Sequence, residues 1–136
     1  MFAVNERQSF GGTPGGSVTS FSVDPASAKL TEISVQPSHG AGPCHLVLDR
    51  TGRHLAVANY GGGNYALFPV GADGRLQSAT SVVTGKGPDA SASKPLGHAV
   101  GVDADNRFLV TADTANVIEC VNPRCPPNAC TSPAAP

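Results

Sequence analysis

One spacing constrains this chain more than any other feature. The tetrapeptides "FAVN", "AVAN" and "VTAD" end at Asn5, Asn59 and Asp113, two equal steps of 54 residues. Around the second step more of the pattern returns. "LVLDRTGRHLAVAN" (46–59) and "VGVDADNRFLVTAD" (100–113) set Asp49 over Asp103, Arg53 over Arg107, Leu55 over Leu109 and Ala58 over Ala112. A fixed internal period of this size marks an architecture of stacked, similar units.

Within each unit a strand-like run ("HLVL", "AVGV") meets a polar turn ("DRTGR", "DADNR"), and a second run ("HLAVA", "FLVTA") follows directly. This order predicts a hairpin. A glycine-bearing stretch then leads to a third run, "NYALFPV" (64–70) or "SVTSFSV" (17–23). After a turn, "GADGR" or "DPASAK", comes a fourth, "LQSATSVV" (76–83) or "LTEISVQ" (30–36). Phe21 and Phe68 are only 47 residues apart, so the loop after Asn5 is predicted to be longer than the loop after Asn59.

Four antiparallel strands per unit of roughly 40 to 50 residues is the pattern of a β-propeller blade, whose sheet packs face to face on its neighbours. Sheets covered on both faces explain why "HLVL" and "HLAVA" are almost continuously apolar, where a half-exposed strand would alternate. A two-sheet sandwich also shows short strands and regular turns, but it carries no such repeat. Sixteen Gly and twelve Pro, with no Trp, agree with many turns and few long helices. The expected fold is all-β, a partial propeller over residues 1–114. From 115 the period is lost in "ANVIECVNPRCPPNACTSPAAP", which reads as an irregular tail.

The formal charge of −1 provides no footprint for nucleic acid or an anionic membrane surface. No run approaches the roughly 20 apolar residues of a membrane span, and "MFAVNERQSF" has no signal-peptide pattern. A soluble, cytoplasmic chain is expected, with neither nucleic acid nor membrane as partner. Cys44 lies among the apolar runs, while Cys120, Cys125 and Cys130 crowd the tail; no disulfide framework follows. "HGAGPCH" (39–45) is not a usual zinc spacing and lacks a fourth donor, so no metal is expected.

"FAVNE", "GGSVTSFSVDPASAKLT", "GAGPCHLVLDRTGRHLAVANYGGGNYALFPVGADGRL" and "GHAVGVDADNRFLVTAD" resemble the 6-phosphogluconolactonase, or lactonase, family of seven-bladed propellers over about residues 2–114. The resemblance implies hydrolysis of 6-phosphogluconolactone to 6-phosphogluconate in carbohydrate metabolism, with a sugar lactone or sugar acid as ligand and no organic cofactor. It also implies that about two blades are present here, which cannot close a ring alone. Open blade edges would then favour self-association. Other activities remain open: ring closure of a muconate to a lactone, or a non-catalytic piece that binds a sugar acid or a protein partner.

The candidate catalytic residues are His45 and His98. His45 begins an apolar strand, where it either fills a strand end or faces a pocket and removes a proton from attacking water. His98 opens the matching strand one unit later, one position out of step. The family motif close to Pro-His-Ala-His stands here as "PLGHAV", with Leu96 in the first histidine position. The candidate substrate-binding residues are Glu6, Arg7, Asn59, Tyr60, Gly61 and Gly62. In "NYGGG", Asn59 would hydrogen-bond substrate hydroxyls and the glycine amides would approach the ligand; alternatively the loop is a tight turn. A P-loop is excluded, because no Gly-Lys-Ser/Thr follows. Arg7 would hold a phosphate, and Glu6 is either a pocket acid or a partner of its own loop. Arg53 and Arg107 fall in the hairpin turns at the strand ends away from His45, and read as turn residues.

Overall fold

A computed structural model describes residues 1–85, 94–114 and 119–121, and twelve strands lie among them. The first unit holds β1 (Phe2–Asn5), the short β2 (Ser9–Phe10) and β3 (Thr13–Pro14), then β4 (Ser17–Val23) and β5 (Leu30–Pro37). The second holds β6 (Pro43–Leu48), β7 (His54–Asn59), β8 (Asn64–Pro69) and β9 (Ser81–Thr84). The third holds β10 (Gly97–Val102), β11 (Leu109–Asp113) and β12 (Glu119–Val121). Three meandering antiparallel sheets result, in the orders β1-β4-β5, β6-β7-β8-β9 and β10-β11-β12. The architecture is all-β, as the repeat predicts, and the described residues form no closed barrel.

Equal positions of the repeat take equal places in these sheets. Asn5, Asn59 and Asp113 each end the strand that pairs with the next strand of its unit, β1, β7 and β11 respectively. The seven extra residues of the loop after Asn5 are accounted for by the β2–β3 hairpin. It is turned by Gly11 and Gly12, both at positive φ, and it enlarges the loop after Asn5.

The middle sheet shows why its runs are continuously apolar. Leu55, Val57, Ala66 and Phe68 face the first unit, forming one core with its Val18 and with Leu76 of their own unit. Ala56, Ala58 and Tyr65 face the third, packing with Val100 and Leu109. Alternate residues of β7 thus enter two different cores, so no polar face is left. Leu55, Val57 and Phe68 are fully buried, and each such side chain contributes about 1.5–3 kcal/mol relative to exposure.

Two readings need adjusting. "LQSATSVV" is not one strand from 76: only Ser81–Thr84 pairs along β8, while Leu76 makes an isolated bridge to Val70. Leu76 is drawn into the core between units one and two, and the Leu76 N–H donates to Ser34 Oγ at 2.9 Å, so the chain dips inward before the strand begins. Beyond residue 114, β12 pairs with β11 within the segment expected to be irregular; residues 115–118 and 122–136, with Cys125 and Cys130, lie outside the described residues. Among the described residues no helix is long and apolar enough to cross a membrane.

Candidate functional site

Two strand ends and three loops meet at one end of the sheets. The residue of the 54-step repeat is their fastener. The Asn59 Nδ2 amide donates to Ser38 O at 2.9 Å, holding the loop that enters β6. One unit on, the Asp113 carboxylate accepts from the Leu96 N–H at 2.7 Å, holding the loop that enters β10. In units two and three an amide or carboxylate at this place ties the entry loop to the unit's second strand. Asn59 is fully buried, with Gly40 packed directly against its side chain. The loop that Asn59 secures therefore covers it.

The glycine loop is likewise mostly committed to packing. The Tyr60 N–H donates to Gly42 O, Gly62 N–H to Ala41 O, and Gly63 N–H to Asn59 O and Tyr60 O. Gly63 alone of the three glycines has positive φ, and a Cβ there would collide with the carbonyl oxygen of Pro95. A Cβ on Gly62 would stand 2.9 Å from Gly40 Cα. The tight-turn alternative thus accounts for Gly62 and Gly63. The Gly61 N–H has no partner among the described residues. Beside it the Lys94 ammonium donates to Gly61 O at 2.7 Å, a cation that sequence reasoning missed because no repeat partner marks it.

Both candidate histidines are exposed, on the first strands of adjoining units. Their registers explain the one-position offset. In β6 the ladder skips Cys44 between Pro43↔Asn59 and His45↔Ala58; in β10 it skips His98 between Gly97↔Asp113 and Ala99↔Ala112. His98 therefore occupies the bulge position that Cys44 holds one unit earlier, and Ala99 stands where His45 would be.

The two units are stitched together across this bulge. The Cys44 thiol donates to the carbonyls of His98 (3.3 Å) and Gly97 (3.5 Å). Burial raises its pKa, and the nearby Glu6 carboxylate raises it further. Cys44 thus stays a protonated donor, not a nucleophile. The Val100 N–H donates to His45 Nδ1 at 3.4 Å. With Nδ1 accepting, the neutral imidazole carries its proton on Nε2 and presents a donor. The His98 imidazole has no hydrogen-bond partner among the described residues, and it meets Tyr60 edge to face at 6.2 Å. Arg7 and Glu6 are exposed on the neighbouring loop, where Gly42 N–H donates to Arg7 O at 3.1 Å. Among the described residues no three His, Cys, Asp or Glu side chains converge as a metal site would require.

The opposite end is built from hairpin turns. Asp49 Oδ1 accepts from the backbone N–H groups of Arg53 (2.8 Å) and His54 (3.1 Å). Its Oδ2 accepts from Thr51 Oγ1 (2.7 Å) and from Asn106 Nδ2 of the next unit (3.2 Å). Burial alone would raise its pKa, but these bonds outweigh it and hold the carboxyl well below the usual range. Asp103 repeats the turn, accepting from Arg107 N at 2.7 Å and Phe108 N at 2.6 Å. The turn chemistry therefore belongs to the aspartates, and the arginines contribute their backbone to it.

A family description of seven-bladed β-propeller lactonases matches residues 1–116. The chain is similar to the 6-phosphogluconolactonase of Bacillus subtilis, 36% identical over 100 residues, or 72% of this chain and 29% of that protein. It is 39% identical over 75 residues to the 6-phosphogluconolactonase of Pectobacterium carotovorum, covering 54% of this chain and 22% of that one. The solved periplasmic gluconolactonase of Pseudomonas aeruginosa superposes with a TM-score of 0.78 at 29% identity, covering 89% of this chain and 35% of that chain. The sequence thus spans about a third or less of the length of each of these relatives.

Proposed function

Because this chain belongs to the lactonase family of seven-bladed β-propellers, we propose that it contributes one rim of a site that hydrolyses 6-phosphogluconolactone to 6-phosphogluconate. The observation that carries this reading is that His45 and His98 both stand exposed on adjoining first strands, with the Tyr60 ring against His98 and the Lys94 ammonium on Gly61 O. His98, whose imidazole is free of hydrogen bonds to the described residues, is the base: it takes a proton from water as the water oxygen bonds to the lactone carbonyl carbon. The ring C–O bond then breaks, and the proton returns to the departing ring oxygen, leaving an acid and a hydroxyl. His45 Nε2–H and the Gly61 N–H serve as donors to the carbonyl oxygen as it gains charge. Lys94 and Arg7 supply cations for the phosphate.

A binding-only reading has one observation in its favour: Leu96 occupies the place of a family histidine. An assay of lactone opening on the purified chain separates the two. Turnover is expected above the spontaneous rate, falling about 100-fold in His98→Ala, the usual scale for losing a general base, and less in His45→Ala. Binding of 6-phosphogluconate without turnover would replace hydrolysis with recognition of a sugar acid.

Self-association through open edges belongs to the same proposal. Among the described residues β1 pairs only with β4, and its other edge presents unpaired backbone. Light scattering across a dilution series should show mass rising with concentration. A cytoplasmic location is also part of this reading, although the Pseudomonas relative is periplasmic. Cell fractionation decides between the two compartments.

A further inference from the structure

We propose that the cleft between the second and third units, at the hairpin-turn end, is a binding site for a small amphipathic carboxylate. The cleft has a volume of about 350 Å³, within the range of small-molecule sites. Its floor is apolar, made by Val47, Ala56, Leu67 and Val102 from the facing sheets. Its rim carries Arg53 and Arg107 together with the Asp49 carboxylate.

The free donor on the rim selects an acceptor. Asp49, on the same rim, already accepts four hydrogen bonds through its two oxygens, three of them within its own turn and one from Asn106. Arg107 keeps a 3.3 Å pair with Asp105 and lies over the Phe108 ring. Arg53, by contrast, is exposed and its guanidinium has no partner among the described residues. The rim therefore offers an unmatched planar donor above an apolar floor. A molecule with a hydrocarbon body and one carboxylate head satisfies both, because guanidinium and carboxylate pair through two parallel hydrogen bonds. The site lies at the strand ends away from His45 and His98, so a ligand there leaves the lactone-binding rim open.

Titration of the full chain with octanoate, followed by amide chemical shifts and calorimetry, tests this. Saturable binding is expected, with shifts concentrated at Val47, Leu67, Val102 and the two hairpin turns. Arg53→Gln, an exposed change that leaves the core untouched, should weaken octanoate at least fivefold, and Arg53→Lys should restore part of it. Thr80→Trp should close the cleft from its rim and remove binding while the spectrum stays folded. Equal binding of octanol and octanoate, shifts confined to the His45–His98 end, or no saturation at millimolar octanoate would each overturn the proposal.

Discussion

Replacing Asp49 with asparagine should uncouple the second and third units at their hairpin ends. The side chain of Asp49 is only 12% exposed, and a neutral amide there keeps one acceptor and turns two N–H donors toward groups that now donate to it. Thr51 and His54 can reverse their roles by rotating a hydroxyl or changing tautomer, but the Asn106 amide at 3.2 Å then faces another donor. The Arg53 and His54 backbone bonds survive without charge assistance, each losing roughly 1 kcal/mol, and the Asn106 bond adds about as much. The expected loss is about 2–3 kcal/mol, which lowers Tm by about 10 °C. Asp103→Asn is the internal comparison. Its carboxylate makes the same backbone bonds but reaches no neighbouring unit, so its shift should be smaller.

The folded pKa of Asp49 lies below its unfolded value. Its contribution is therefore complete above about pH 4, the unfolded value, and is lost as pH falls further toward the folded one. Thermal melts from pH 7 to pH 2 should show Asp49→Asn flattening this acid limb. Equal Tm losses for the two aspartates, or an unchanged acid limb in Asp49→Asn, would refute the reasoning.

Other changes test other joints. Leu76→Ala empties a place in the core between units one and two and should cost about 2–4 kcal/mol in urea melts; under 1 kcal/mol would mean that Leu76 is not a core residue. Gly63→Ala should destabilise the chain by more than about 2 kcal/mol, since it meets both an unfavourable φ and the Pro95 carbonyl. Gly61→Ala, with 3.3 Å to Ala41 O and no positive φ, should be far milder. Tyr65→Phe removes the hydroxyl that donates to Ala112 O at 3.0 Å; a loss near 1 kcal/mol, seen as faster hydrogen exchange in β11, is expected.

The repeat made the strand order legible, because a side chain's partners depend on its place in the unit. Asn5, Asn59 and Asp113 could be aligned from sequence, and their positions in the sheets agree. Their task could not be read the same way: nothing in "VAN" tells whether the amide faces a ligand or ties down Ser38, since that depends on a loop 21 residues away. The bulge was legible only as an offset of one between His45 and His98. Its meaning needed the ladder, in which Cys44 and His98 share the skipped position. Leu76 misled for a local reason: its run looks strand-like, but a core vacancy and the Ser34 hydroxyl draw it out of register. The cleft at the hairpin end was hidden because Arg53 and Arg107 recur with the turns, and recurrence suggested turn chemistry that the aspartates perform.

Methyl and ring NOEs measured on the folded chain would decide whether one sheet lies between two others. Leu55, Val57 and Phe68 should contact Val18 and Leu76, while Ala56, Ala58 and Tyr65 contact Val100 and Leu109. Finding both alternating sets against the same partner would contradict stacked units and, with them, the placing of His45 and His98 on adjoining strands.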